Sequence, residues 1–339
     1  MSHPDYTELK GFTQIGDNTL TSMVQDNVIE FFDWGLINKG AYFNINIPTS
    51  GQYGGDRHRL RLVDDPNYTE GQVWEAYRSN WVWQSGVEQS DTPVNISGVY
   101  VGGTFYPKTT TGDYAHHVNY PWGRVVFDSA ISTSSVVTME YSYKWINVTY
   151  SNSVPWFREL QSRSHRVDSG HFLQAASGDW SQLAGSRFQL PAIAVEMVAR
   201  RSSKPYQLGG GQYVNTDILF HIYAEDEYTR DKLVDVVSLQ DDKTIYLFDT
   251  NRMTTDNRFP LDYRGAKASG ALTYPDLVRP SGSDYGDGTF NAGFRSDWKN
   301  GRPDRLRFTN MRSQQMTVLS PSLYSGLVRC SAEVIMPGI

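Results

Sequence analysis

Two stretches of regular apolar and polar alternation lie within residues 188–249. Because successive side chains of a strand point to opposite faces, a period of two predicts a half-buried β-strand for each stretch. The buried faces are predicted to be formed by Ile193, Val195, Met197 and Ala199 in the first strand, and by Val214, Thr216, Ile218, Phe220 and Ile222 in the second. The pattern indicates a sheet rather than a helical bundle.

The segment that joins these strands, residues 202–212, contains Lys204-Pro205 and Gly209-Gly210-Gly211. Proline and glycine interrupt regular structure, so the segment is predicted to form a long, mobile hairpin tip. A tip of this kind is suited to contact another subunit.

A helix and a third strand are predicted after the second strand. The run Glu225-Asp226-Glu227 places acidic side chains beside the unpaired backbone amides that begin a helix. The helix is expected to end near Leu239, and a short strand is predicted at residues 244–248. The buried stripe of the helix is predicted to consist of Leu233, Val234 and Val237. The helix should therefore pack across the sheet.

The composition favours a folded, β-rich protein of the α+β class. Of the 339 residues, 39% are hydrophobic and 13% are aromatic, which suffices for stable cores. Gly and Pro separate short periodic segments, as is typical of β structure with extensive loops.

Charge and hydropathy argue against several partners and compartments. The net charge of −6 disfavours a surface that neutralises the phosphates of duplex DNA. No apolar run approaches the roughly 20 residues of a membrane-spanning helix, and residues 1–6 lack the basic and apolar regions of a secretion signal. We therefore expect assembly in a cytoplasm and no membrane partner. The single cysteine, Cys330, alternates with apolar neighbours and is predicted to be a buried core residue.

Four regions are predicted along the chain. Residues 1–90 contain a helix over Asp17–Asn38 and an aromatic extended segment that is expected to pack between domains or subunits. Residues 91–150 are predicted to form a small antiparallel β domain with a tight turn at Gly102-Gly103. Residues 151–187 are predicted to be a linker, and residues 188–339 an α+β domain. In the small β domain Met139, Tyr141, Tyr143 and Trp145 are predicted to pack, whereas Thr138, Glu140, Ser142 and Lys144 are predicted to meet water.

Residues 250–303 interrupt the α+β domain with few periodic apolar positions and many Gly, Asp, Arg, Ser and Pro residues. A loop of this length in a compact domain is usually functional or disordered, so it is predicted to be a long insertion. Strand alternation resumes at residues 305–310 and 327–336 and is expected to complete the sheet.

Chemical motifs are weak throughout the sequence. His116-His117 with Asp113, and His58 with Asp56, carry metal-ligand side chains, but adjacent residues of a strand point to opposite faces. Residues 281–288 lack the alternating acids of a calcium loop, and Gly209-Gly210-Gly211 lacks the lysine of a phosphate loop. Paired carboxylates that could act on a glycan occur in Asp64-Asp65, Glu225-Asp226-Glu227 and Asp241-Asp242. Neighbouring acids of this kind are more simply explained as turns or helix caps. No catalytic, cofactor or metal residue is predicted.

The order of elements in residues 188–339 resembles tail terminator proteins of tailed bacteriophages. The resemblance is carried by the strand from Leu190 to Met197, the glycine-rich hairpin, the strand from Asp217 to Tyr223 and the helix that follows. Residues 98–150, including Gly103-Thr104-Phe105-Tyr106-Pro107, also resemble structural domains of virion proteins. The N-terminal half of the chain is an addition that a minimal tail terminator protein does not have.

This resemblance implies a non-enzymatic neck protein of the virion, in which copies form a ring, expected to be a hexamer, that caps the tail tube. The implied partners are tail tube or sheath proteins and the head connector, with only non-specific proximity to translocating DNA. Expected subunit contacts are Arg200, Arg201, Lys204, Tyr206, Gly209, Gly210, Gly211 and Tyr285.

Three other functions remain open from the sequence. The chain could be another tail or baseplate structural protein. It could instead be a receptor- or glycan-binding module of the virion, with Trp81, Trp83 and Trp122 as the binding surface. A carbohydrate-cleaving enzyme would require a carboxylate pair held across a cleft.

Overall fold

A computed structural model describes residues 17–47, 57–84, 87, 91–153, 189–207, 210–250, 260–268, 270–278, 303–320 and 323–336. The chain divides into two compact units. The first unit consists of Met1–Phe31, Val148–Arg252 and Tyr274–Ile339, and the second of Phe32–Asn147 and Met253–Thr273.

The first unit is built on a six-stranded sheet. Its strands are β10 (Asn147–Tyr150), β11 (Ala192–Gln207), β12 (Gly210–Ala224), β13 (Thr244–Tyr246), β14 (Arg305–Ser320) and β15 (Leu323–Met336). They lie in the order β10-β11-β12-β15-β14-β13, and the pairs from β11 to β13 are antiparallel. The chain is therefore mixed α and β with β predominant, as the composition predicts.

One face of this sheet forms the apolar core of the first unit. Alternate residues of β12 and β15 are buried on that face, because every second side chain of a strand points to the same side. Two helices pack there. Phe31 of α1 (Asp17–Asn38) lies 6.0 Å from Phe308, ring to ring, and Gly326 lies beneath Val234 of α2 (Glu227–Ser238). The residues of the predicted strand face that are fully buried include Ile193, Val195, Ile218, Phe220 and Ile222.

Helix α2 and Cys330 confirm two predictions. Asp226 is the N-cap, and its carboxylate accepts a hydrogen bond of 2.8 Å from the backbone amide of Thr229. The predicted stripe of Leu233, Val234 and Val237 is buried. Cys330 is fully buried, and burial raises the pKa of its thiol to about 12.

Gly326 allows α2 to approach the sheet closely. A Cβ atom at this position would lie 2.7 Å from Cγ2 of Val234, a branched side chain that cannot swing away. We expect Gly326→Ala to destabilise the first unit by about 1–3 kcal/mol, the usual cost of overpacking a core, as measured by urea unfolding. The added variant Val234→Ala should recover part of that loss, and equal losses with and without it would contradict the proposed clash.

The hairpin between β11 and β12 is longer and more regular than the sequence predicts. Strand pairing continues to Gln207 opposite Gly210, and Pro205 is paired with Gln212. Proline is tolerated because β10 spans only four residues and leaves most of the outer edge of β11 without a described strand partner. The predicted hairpin is confirmed, but the predicted interruption of strand structure over residues 202–207 and 210–212 was wrong.

The described parts of residues 250–303 do not form an exposed arm. Leu261 and Ala271 pack against the core of the second unit, and Tyr120 donates a backbone hydrogen bond of 2.9 Å to the carbonyl of Gly265. Tyr274 and Leu277, in α3 (Tyr274–Leu277), are buried in the first unit. Sparse apolar residues thus anchor this insertion without any periodicity.

The second unit contains small sheets rather than one long one. Its strands are β1 (Tyr42–Ile45), β2 (Arg61–Leu62), β3 (Val73–Glu75), β4 (Gly98–Val101), β5 (Thr104–Pro107), β6 (His116–Asn119), β7 (Arg124–Phe127), β8 (Val137–Thr138) and β9 (Tyr141–Lys144). They pair as β1-β9, β2-β3-β7-β6 and β5-β4-β8. The turn at Gly102-Gly103 is confirmed, and both glycines have positive φ, as a tight hairpin turn requires.

The aromatic segment and the small β domain share one core instead of forming separate regions. Trp81 is fully buried and stacks on Tyr141 at 4.7 Å between ring centroids. Strand β1 pairs with β9, and β3 pairs with β7, across the predicted boundary at residue 90. The structure therefore divides the chain differently from the four predicted regions, because pairing over long sequence distances joins them.

The opposite face of β9 is also buried, contrary to prediction. Ser142 hydrogen-bonds to the side chain of Asn44 at 2.5 Å, and Lys144 forms an ion pair with Asp33 at 2.6 Å. Trp145, which was predicted to be packed, is instead 37% exposed. Specific polar partners allow these residues to be buried, and alternation alone does not reveal such partners.

Candidate assembly surfaces

The first candidate surface is the distal part of the β11–β12 hairpin, which we call the β arm (residues 202–212). The side chains of residues 202–206 are exposed in succession, so neither face of the strand is covered by described residues. Lys204 and Tyr206 lie on the arm, and Tyr206 is 46% exposed. Gly211 has a φ of +92°, a conformation that favours glycine.

Four of the predicted contact residues, or their side chains, lie outside the part of the chain that the structure describes. Arg200 and Arg201 belong to β11, but their side chains are outside the described residues. Gly209 and Tyr285 also lie outside the described residues, whereas Gly210 begins β12. The structure thus brings together Lys204, Tyr206, Gly210 and Gly211 on one hairpin.

The second candidate surface is the outer edge of β14, residues 312–320, which we call the β14 edge. β13 covers only Arg305, Leu306 and Arg307, so the β14 edge has no strand partner among the residues described. Its exposed apolar side chains are Met316 at 42%, Val318 at 58% and Leu319 at 40%. An uncovered strand edge with apolar side chains is a template for pairing with another chain.

Sequence reasoning missed the β14 edge because alternation fails there. Register shifts occur between Thr309 and Arg312, between Ser313 and Gln315, and between Val318 and Ser320. Each register shift interrupts the two-residue period and so hides the strand from pattern analysis. The β-branched residues Thr317 and Val318 were the available signal.

The third candidate surface combines aromatic and arginine side chains of the second unit. Phe43 lies 5.5 Å from Tyr143 and 5.1 Å from Trp145, ring to ring. The guanidinium of Arg78 lies 5.7 Å from the ring centroids of Tyr77 and Tyr143, and that of Arg57 lies 5.5 Å from Tyr77. We call this surface the aromatic–arginine strip, formed by Phe43, Arg57, Tyr77, Arg78, Tyr143 and Trp145.

The tryptophans predicted to bind glycans occupy different environments. Trp81 and Trp83 are buried at 0% and 6% exposure, so they serve the core and cannot stack on a sugar. Trp122 is 47% exposed, and the guanidinium of Arg124 lies 4.9 Å from its ring centroid. Only Trp122 is therefore accessible to a ligand.

The acidic runs have structural partners in the described part of the chain. Asp65 pairs with Arg124 at 3.1 Å, Asp226 caps α2, and Asp242 pairs with Arg307 at 2.9 Å. The carboxylate of Asp241 accepts a hydrogen bond of 3.2 Å from the backbone amide of Met311. Ion pairs, a helix cap and a backbone hydrogen bond therefore account for Asp65, Asp242, Asp226 and Asp241.

The histidine pair does not converge on one site. His116 is buried beside Phe127, and its Nδ1 lies 2.9 Å from the carbonyl oxygen of Tyr114. Burial lowers the pKa of both His116 and His117, which favours neutral imidazoles near pH 7. Among the residues that the structure describes, no group of three potential metal ligands is present. Asp56 and residues 281–288 lie outside the described residues.

Within the described ranges, no helix is both long and apolar enough to span a membrane. No known protein family, curated protein or solved structure matches this chain.

Proposed function

We propose that this chain is a structural subunit of a tailed-bacteriophage virion at the head–tail junction. In this proposal, copies of the chain form a ring, with six subunits expected, that ends the tail tube and contacts the head connector. The sheet of the first unit would then be the counterpart of a tail-terminator core. The observation that carries the proposal is the presence of the β arm and the β14 edge on one sheet.

A ring requires a heterologous interface, in which one patch of each subunit contacts a different patch of the next. The β arm and the β14 edge are two such patches, because they belong to different hairpins of the same sheet. Exposed backbone on an edge strand supplies hydrogen bonds, and Met316 and Val318 supply apolar area.

The charge of the chain suits this role. A net charge of −6 disfavours tight binding to DNA phosphates, as a channel through which DNA must slide requires. Tail tube or sheath proteins and the head connector are the partners this proposal implies, and catalysis is not part of it.

A glycan- or receptor-binding module is the second candidate, and exposed Trp122 favours it. A sugar ring could stack on the exposed part of this indole, which also lies 4.9 Å from the guanidinium of Arg124. This function predicts specific retention on a glycan array that is lost in Trp122→Ala.

The ring proposal predicts that Val318→Lys will weaken assembly. A charge on an edge strand blocks strand addition, and Val318 is 58% exposed, so folding should be little affected. We expect light scattering to show a ring mass for the wild type and at least about tenfold weaker association for the variant. Cryo-electron microscopy of the same fractions should show a ring with an axial hole.

Val136→Lys is the matched control, because Val136 is 45% exposed and lies in the second unit. It should assemble like the wild type. A wild-type chain that remains monomeric and binds a glycan through Trp122 would contradict the ring and support the second candidate.

A further inference from the structure

The aromatic–arginine strip carries positive charge that the described residues do not neutralise. Arg57 and Arg78 are half-buried, and neither forms an ion pair with a carboxylate in the described part of the chain. The Nε atom of Arg78 is buried and has no hydrogen-bond partner among those residues. Buried donors of this kind are normally satisfied, and a carboxylate oxygen would satisfy this one.

The strip is also rigid and accessible. Phe43 and Tyr143 face each other on β1 and β9, which are paired by backbone hydrogen bonds. Within the strip, Tyr77 is 58% exposed, Phe43 is 46% exposed and Trp145 is 37% exposed, whereas Tyr143 is buried and joins the arginine-facing and Phe43-facing sides. Aromatic residues and arginine are the residue types that contribute most to protein interfaces.

The chemistry of the strip selects an acidic peptide with an aromatic neighbour. A planar guanidinium binds a carboxylate through two parallel hydrogen bonds, and a half-buried one does so with less competition from water. The flanking rings can cover an aromatic side chain beside the acid. The chain has a net charge of −6, so a positive strip on one copy is complementary in charge to acidic surface on another copy.

A segment with this chemistry lies at the start of α2. Glu225 and Tyr228 are exposed, Tyr228 to 75%, whereas the carboxylate of Glu227 forms an ion pair of 3.0 Å with Arg230 inside α2. Asp226 is occupied as the N-cap, which fixes the direction of its neighbours. We call residues 225–228 the acidic turn.

We propose that the aromatic–arginine strip of one subunit binds the acidic turn of a neighbouring copy. This contact rests on the proposed ring and adds to it a second interface, between the second unit of one copy and the first unit of the next. Because the strip and the acidic turn are different patches, the contact is heterologous and is compatible with ring closure.

The test uses two charge-reversed forms of the full chain. The strip variant is Arg57→Glu/Arg78→Glu, and the turn variant is Glu225→Arg, which leaves the ion pair between Glu227 and Arg230 intact. Each variant alone places like charges at every interface and should weaken assembly by about tenfold or more in sedimentation velocity. An equimolar mixture should restore assembly, because every interface then pairs one reversed strip with one reversed turn or one native strip with one native turn. The matched control, Arg61→Glu, changes an exposed arginine outside the strip and should assemble normally.

Thermal unfolding of each variant separates assembly from folding. If Arg78→Glu alone unfolds the second unit, Arg57→Glu/Tyr77→Ala replaces it as the strip variant. Rings that form equally well from the wild type and from both variants would overturn this contact and leave the ring proposal standing. A wild-type chain that never assembles would overturn both. Salt-dependent binding of a single-stranded oligonucleotide, lost in the strip variant, would assign the strip to nucleic acid and overturn the peptide contact.

Discussion

Lys144→Met should lower the free energy of unfolding by about 3–5 kcal/mol, the usual cost of leaving one member of a buried ion pair unpaired. The ammonium of Lys144 lies 2.6 Å from the carboxylate of Asp33, and the two side chains are only 7% and 6% exposed. Methionine preserves most of the stem of the lysine side chain, so the loss reports the charge rather than a cavity. Urea unfolding followed by tryptophan fluorescence would measure it.

The double variant Lys144→Met/Asp33→Asn should recover most of this stability, because it removes both charges. Gln84 donates a hydrogen bond of 2.8 Å to Asp33, and an asparagine at position 33 can still accept it. Lys39→Met, at an exposed lysine, should change stability by less than about 0.5 kcal/mol. A single variant that stays within about 1 kcal/mol of the wild type would show that water reaches this pair.

Phe308→Ala should destabilise the first unit by about 3–5 kcal/mol through loss of buried area and creation of a cavity. Phe308 is fully buried on β14 and joins the sheet to Phe31 of α1. Cys330 provides a local reporter, because its buried thiol has a pKa of about 12 and should react with thiol reagents only after the unit opens. We expect the labelling rate to rise by at least about a hundredfold in the variant.

Leu239→Ala is the control in the same unit, since Leu239 is 78% exposed and its truncation leaves no cavity. Its labelling rate should match that of the wild type within about threefold. Fast labelling of Cys330 in the wild type would contradict the buried position of the thiol. Equal rates in Phe308→Ala and the wild type would show that Phe308 contributes little to this core.

Local patterns predicted the first unit well. The alternation at Ile218, Phe220 and Ile222 identified β12, and the acidic cap with the Leu233, Val234 and Val237 stripe identified α2. These elements are bounded by short-range signals, and burial on one face leaves a clear period. α1 was likewise predicted over Asp17–Asn38, where the structure has it.

Long-range contacts set the limits of that prediction. The Trp81–Tyr141 stack and the Asp33–Lys144 ion pair join residues from distant segments, and nothing in either segment alone specifies its partner. For the same reason the predicted boundary at residue 90 falls inside the second unit, whereas the one at residue 150 lies close to the observed boundary between Asn147 and Val148. Strand bulges concealed the distal part of β14.

The same contrast between local and long-range signals holds for the candidate surfaces. The β arm was identified from Lys204, Tyr206 and the glycines, although its strands are more regular than predicted. The aromatic–arginine strip was not identified, because Arg57, Arg78 and Phe43 come from separate loops and strands. The high proportion of aromatic residues was the one signal in the sequence for the aromatic–arginine strip.

The position of β15 between β12 and β14 has a consequence for how the chain folds during synthesis. Residues Ala224 and Tyr324 are paired neighbours, yet they lie roughly a hundred residues apart in sequence. β12 leaves the ribosome long before its central partner exists, so its inner edge stays open while the intervening residues are made. At a synthesis rate of about 5–20 residues per second, that interval lasts roughly 5–20 seconds. During this interval the nascent sheet is an expected substrate for chaperones and a site of aggregation, and faster release of the chain should raise the folded yield.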